Sequence, residues 1–180
     1  MAPVPHGGWP FLSIDVGLAT TSMTFESLDS KLSGWGANIA VLGGGTIADG
    51  VVVHGEIAVA VMNDPTLKGP NVDVTLVDTL GRVASIGAGM LWWFSDDGWY
   101  AGASVGGAQL DITFERNGTT YIGETQFGLT GKAEIGLKRR LSWFGLGVGL
   151  SVRYASMEDK DNTGTVSGYV LAASGSLGFF

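Results

Sequence analysis

The segment Phe144-Gly145-Leu146-Gly147-Val148-Gly149-Leu150-Ser151-Val152-Arg153-Tyr154-Ala155 places a large apolar side chain at every second position, with glycine, serine or arginine between. A repeat of two belongs to a strand, since a helix would space its apolar residues three and four apart. One face of this strand is greasy and the other nearly bare. Residues 121–138 repeat the split, with Tyr121, Phe127, Leu129, Ala133, Ile135 and Leu137 opposite Glu124, Gln126, Thr130, Lys132 and Glu134. So do residues 11–22, where Leu12, Ile14, Val16 and Leu18 oppose Ser13, Asp15 and Gly17. In residues 51–64, Val51, Val53, Ile57, Val59 and Val61 oppose His54, Glu56, Ala58 and Ala60.

Weaker alternation over 34–47, 72–94, 99–115 and 166–180 raises the count to eight strands. Within 72–94 the phase changes, Val77 and Val83 being odd while Ile86, Met90 and Trp92 are even, so a bulge is expected at Ala84 or Ser85. Three connectors are tight: Ala48-Asp49-Gly50, Asp96-Asp97-Gly98 and Lys138-Arg139-Arg140-Leu141, the Asp-Gly pairs being hairpin signals. The others, 26–33, 65–71, 116–120 and 158–163, read as longer and more polar. Nothing is left for crossover helices. The expected fold is all-β, an eight-stranded antiparallel up-and-down barrel, with 9–180 as one domain and 1–8 as a short N-terminal segment.

Composition narrows the setting. A chain of 180 residues suits one domain. Its 15% of charged residues is well below the ordinary ~25%, and 45% are hydrophobic, which opposes disorder. The absence of cysteine excludes thiolate chemistry and disulfides. A net charge of -7 opposes a surface that tracks nucleic-acid phosphates. No uncharged apolar run approaches the roughly 18–20 residues of a spanning helix. The first residues have neither a basic nor an apolar leader region, so a signal peptide is expected to be absent or already removed.

Small residues and mixed charges suit the inside of an eight-stranded barrel, whose lumen is just wide enough for side chains to fill it. The expected lumen charge network is Asp15, Glu56, Arg82, Asp111, Glu124, Lys132, Glu134 and Arg153, ion-paired because an isolated buried charge is costly. The apolar faces then look out to lipid, so the expected span is a transmembrane barrel. An aromatic girdle of Trp9, Trp92, Trp93, Trp99, Tyr100, Trp143, Phe179 and Phe180 is expected at the tight-turn end, and Phe25, Trp35, Phe114, Tyr121 and Tyr154 at the other.

On these features residues 8–180 resemble the small eight-stranded outer-membrane barrels of Gram-negative bacteria, the OmpA/OmpX-like family. The resemblance implies a monomer integral to the outer membrane and in contact with its lipid, with termini and tight turns periplasmic and the longer loops outside. The last strand, Tyr169 to Phe180, is similar to the signal that the barrel-assembly machinery reads. Its apolar face is Tyr169, Leu171, Ala173, Leu177 and Phe179. Lipid A deacylases and palmitoyltransferases of this shape pair His with Ser, and no serine lies close by on the His54 face.

Other candidate chemistry is thin. His54 and Glu56 share a face as an acid/base pair would. Asp96 with Asp97, or Glu158, Asp159, Asp161 and Asn162, supply oxygens without a full calcium loop. Gly43-Gly44-Gly45 lacks the Lys-Ser/Thr and helix of a phosphate cradle. No catalytic, cofactor or metal residue is therefore assigned. The expected role is non-enzymatic, in envelope structure or loop display, with the lumen plugged by charge. The alternatives are a small cation-leaning pore and a soluble lipocalin-like carrier of an apolar ligand, for which the charged surface is too sparse.

Overall fold

A computed structural model describes residues 8–116, 119–141, 143–160 and 164–179. Its strands are β1 (Pro10–Phe25), β2 (Ser30–Ala48), β3 (Val51–Gly69), β4 (Val72–Thr75), β5 (Thr79–Trp93), β6 (Trp99–Arg116), β7 (Thr119–Glu124), β8 (Gly128–Arg140), β9 (Phe144–Glu158) and β10 (Thr165–Phe179), with one 3-10 turn at Glu26–Leu28 among the described residues. β4 continues the stave of β5, and β7 that of β8, so ten strands make eight staves. Every pairing is antiparallel, and β1 against β10 closes the sheet into a barrel. No helix among the described residues is long and apolar enough to cross a membrane.

The register fixes the barrel's shape. Followed strand to strand, it leads from Ile14 through Val41, Ile57, Ile86, Gly107, Leu129, Ser156 and Ser167 back to β1 at Thr24, ten residues from the start. Ten residues of ~3.3 Å against eight spacings of ~4.8 Å tilt the strands about 40°.

Alternation sets which side chains face out. Leu12, Ile14, Val16 and Leu18 of β1, Leu146, Val148, Leu150 and Val152 of β9, and Leu171 and Leu177 of β10 are all exposed. From Phe179 to Tyr169 the outward positions of β10 rise ten residues, about 25 Å along the barrel axis at this tilt, the height of a lipid-facing apolar band.

Three details differ from the sequence reading. β5 pairs with β3 and β6 without a register shift, so there is no bulge at Ala84 or Ser85. Val83 is simply an apolar residue on the inward face, and Val77 lies outside the strand, between β4 and β5. The phase changes instead at Thr125–Phe127, because Asp111 pairs with Glu124 while Trp99 pairs with Leu137. There the Thr125 hydroxyl oxygen accepts from the Leu110 backbone N–H at 2.9 Å, filling the ladder position the bulge vacates. Finally, the connectors at the loop end are shorter than expected, because β2 begins at Ser30 and β3 runs on to Gly69 to pair with β4.

Candidate functional site

The lumen is filled in three layers. At mid-barrel, one oxygen of Glu56 of β3 lies 2.5 Å from Lys132 Nζ of β8, and the other accepts from the Arg153 guanidinium of β9. Lys132 Nζ also lies 3.1 Å from a Glu134 oxygen. Nearer the turn end, Lys138 Nζ donates to Ser13 Oγ at 2.8 Å, and that hydroxyl donates to Asp15 at 2.9 Å. Three carboxylates thus meet three cations, all with little solvent exposure, as a low-dielectric interior requires. Asp15, Tyr100, Lys132, Glu134 and Arg153 line a cavity of only about 20 Å³, room for roughly one water.

The layer at the turn end is aromatic. Lys138 Nζ sits 5.5 Å from the Phe11 ring centroid and 5.8 Å from that of Tyr100, within cation–π range. Trp93 packs on both rings, at 6.3 and 5.4 Å. Gly136 makes room for this floor, since a Cβ there would come within 2.7 Å of the Tyr100 ring. The layer at the loop end is apolar: Met23, Leu32, Met62, Val83, Leu110, Met157 and Val166 are buried against one another.

Of the eight residues expected in the lumen network, the structure brings Asp15, Glu56, Lys132, Glu134 and Arg153 together. Arg82 and Asp111 are a correction. Nη2 and Nε of Arg82 both donate to one Asp111 oxygen, at 2.6 and 3.0 Å, on the outward face near the loop end, where the Arg82 side chain is 55% exposed against 5% for Lys132. Both lie in the outward register, Arg82 with Ile86 and Asp111 directly opposite it. Glu124 is likewise outside. The bulge after it reverses the face, and it pairs with Lys160 at 2.7 Å. That hydrogen bond and the Lys160 charge hold its carboxyl below the usual carboxylate range.

The aromatic set also divides. Trp9, Trp92, Trp99 and Trp143 are exposed at the turn end, with Trp143 stacked on Phe179 at 5.5 Å. Trp93 and Tyr100 are each 4% exposed and belong to the floor, because each follows an outward tryptophan by one residue and so points inward. Phe180 lies outside the described residues, as do Asp161 and Asn162. At the other end Trp35, Phe127, Tyr154 and Tyr169 are exposed, whereas Phe25 and Phe114 line the inside of the mouth. His54 is buried on the inner face beside Glu56, with neither ring nitrogen hydrogen-bonded among the described residues. No group of three or more potential metal ligands occurs among the described residues.

The sequence reading missed Lys138 and the apolar layer. The signal for the second was present: Met23, Met62 and Met157 fall on the small-residue faces of their strands, where polar side chains were expected.

No family model and no curated protein matches this chain. Solved structures do. Neisserial surface protein A aligns over 94% of this chain and 96% of its own at 10% identity, with a TM-score of 0.58. Ail, the attachment invasion locus protein of Yersinia pestis, aligns over 95% and 99% at 15% identity, TM-score 0.53. The outer membrane protein OprG of Pseudomonas aeruginosa aligns over 97% and 97% at 14% identity, TM-score 0.51. The fold is that of the small outer-membrane β-barrels.

Proposed function

We propose that the chain is an integral barrel of a bacterial outer membrane that acts without catalysis, its lumen closed and its loop end displayed outside. The observation that carries this is the inversion of the barrel: an exposed apolar band about 25 Å tall encloses an interior of ion pairs and packed side chains. A soluble carrier would present the opposite arrangement, charge outside and an empty apolar lumen. A pore would need a water path, and the middle layer leaves about 20 Å³ between an aromatic floor and a methionine-rich ceiling. The one Ser–Lys contact among the described hydrogen bonds, Ser13 with Lys138, is sealed in that lumen, which supports a structural role for it. Recognition of the last strand by the barrel-assembly machinery belongs to the same proposal.

The absence of cysteine provides the test, because any introduced thiol is unique. In intact Gram-negative cells expressing Ser27→Cys, at the loop end, a membrane-impermeant maleimide is expected to label the protein. Asp97→Cys, at the turn end, is expected to react only after the outer membrane is opened. Equal labelling of both in intact cells contradicts the proposed orientation.

A further inference from the structure

Above the apolar layer the mouth of the barrel is not closed. The inward-facing ends of β1, β2, β3 and β6 and the break between β4 and β5 leave a cleft of about 550 Å³, within the size range of small-molecule sites. Phe25, Leu32, Leu67, Leu76, Ile112 and Phe114 supply its walls. Below it lies the buried cluster that includes Met23, Met62 and Leu110, against which Phe25, Leu67, Leu76 and Ile112 pack. The cleft lies beyond the outward row of Trp35, Tyr154 and Tyr169: Tyr169 pairs with Ser22, and Phe25 is three residues further toward the loops. It therefore opens to the medium, not to the hydrocarbon. Leu28 and Val77 stand at its opening, 64% and 70% exposed.

The charges around the opening select the occupant. Asp29 follows Leu28, and Asp78 lies between Val77 and Thr79, all three neighbours being lining residues. An Asp64 carboxylate oxygen lies 3.5 Å from the Thr79 backbone N–H. All three aspartates are exposed and take the left-handed conformation, Asp29 after the 3-10 turn, Asp78 between β4 and β5, and Asp64 within β3 where its register against β2 shifts. Of the nearby cations whose side chains are described, Lys31 and Lys68 sit on the other side of the wall. Leu32 and Leu67 face in, so their neighbours Lys31 and Lys68, partners across β2 and β3, face out, and Lys68 pairs with Asp73 at 3.5 Å. An apolar cleft closed below and cornered by carboxylates fits an apolar chain with a positive head group.

We infer that the mouth of the barrel is a binding site for single-chain cationic amphiphiles, the chain seated on Leu32, Leu67 and Leu76 and the head group held by Asp29, Asp64 and Asp78. Because the floor is sealed, the site holds its ligand and does not pass it on. The inference rests on the proposed membrane barrel with its loop end in water. The cysteine labelling above tests that premise separately, so failure of either is distinguishable.

The test is calorimetric titration of the folded protein in nanodiscs of zwitterionic lipid, with the heat of empty discs subtracted and folding of every variant checked by heat-modifiable gel migration. Dodecyltrimethylammonium is expected to saturate one site and to bind at least about ten-fold more tightly than dodecyl sulfate. The double variant Asp64→Asn, Asp78→Asn keeps side chains that tolerate the left-handed conformation. It is expected to weaken the ammonium by about ten-fold while leaving dodecanol unchanged. Leu76→Trp, which fills the cleft, is expected to abolish saturable binding; should it not fold, the exposed Val77→Asp is expected to weaken dodecanol binding. Heats equal to those of empty discs, equal affinity for ammonium and sulfate, or an ammonium affinity indifferent to the double variant would each overturn the inference.

Discussion

The middle of the lumen and its loop-end half fill the same narrow barrel by opposite chemistry. In the middle, Glu56 is shared by Lys132 and Arg153, and Lys132 reaches on to Glu134, so each charge depends on a specific partner across the barrel. Toward the loops, Met23, Met62, Met157, Leu32 and Leu110 close the same space with contacts that depend on volume alone. The difference is one of tolerance. A charge network in a low-dielectric interior fails when one member is removed, because its partners are left buried and unpaired, whereas an apolar cluster gives way in proportion to the volume lost.

That contrast can be broken most sharply at Glu56. Replacing it with alanine takes the ion-pair partner from Arg153 and leaves Lys132 to Glu134 alone, and denaturant unfolding in lipid vesicles is expected to show a loss of about 3–5 kcal/mol. The matching test of the ceiling is Leu110→Ala, expected to cost about 2–3 kcal/mol by the same measurement, with no change in the pH dependence of stability. If Leu110→Ala proves the costlier of the two, the apolar layer, not the ion pairs, is the principal closure. Lys138→Met sharpens the comparison at the floor. It keeps the length of the stem but removes the cation over Phe11 and Tyr100 and the hydrogen bond to Ser13, for an expected loss of about 1–2 kcal/mol. The outward pair is expected to matter least: Arg82→Ala should change stability by no more than about 1 kcal/mol, since the guanidinium is half exposed. A loss as large as that of Glu56→Ala would put Arg82 back inside the barrel.

The eight staves were legible because period two marks strands wherever one face packs and the other does not, as 144–155 shows most plainly. Parity also held the assignments that went astray. Once Trp92 and Trp99 face lipid, Trp93 and Tyr100 must face the lumen, and once Ile86 faces out, so does Arg82. Glu124 was beyond that logic, because the bulge at Thr125–Phe127 reverses the faces of one stave and rests on hydrogen bonding across to Leu110, far away in sequence. The core of the charge network was legible because few charges occur on the inward faces; its pairing was not, because which carboxylate meets which cation depends on the ten-residue shear. The mouth cleft was hidden for a related reason: Leu28, Leu32 and Leu67 lie in stretches that alternation reads as loop, while Leu76 and Val77 lie at a break inside a stretch it reads as one strand.

The central claim is that ion pairs and packing together close the lumen, and planar-bilayer recording of the refolded, heat-modifiable protein tests it most directly. The account predicts silence from the native chain and from Leu110→Ala, whose ion-paired layer remains intact. Stepwise, cation-selective currents in the native chain that change in Lys132→Ala would contradict it and make the same five charges, Asp15, Glu56, Lys132, Glu134 and Arg153, the lining of a pore.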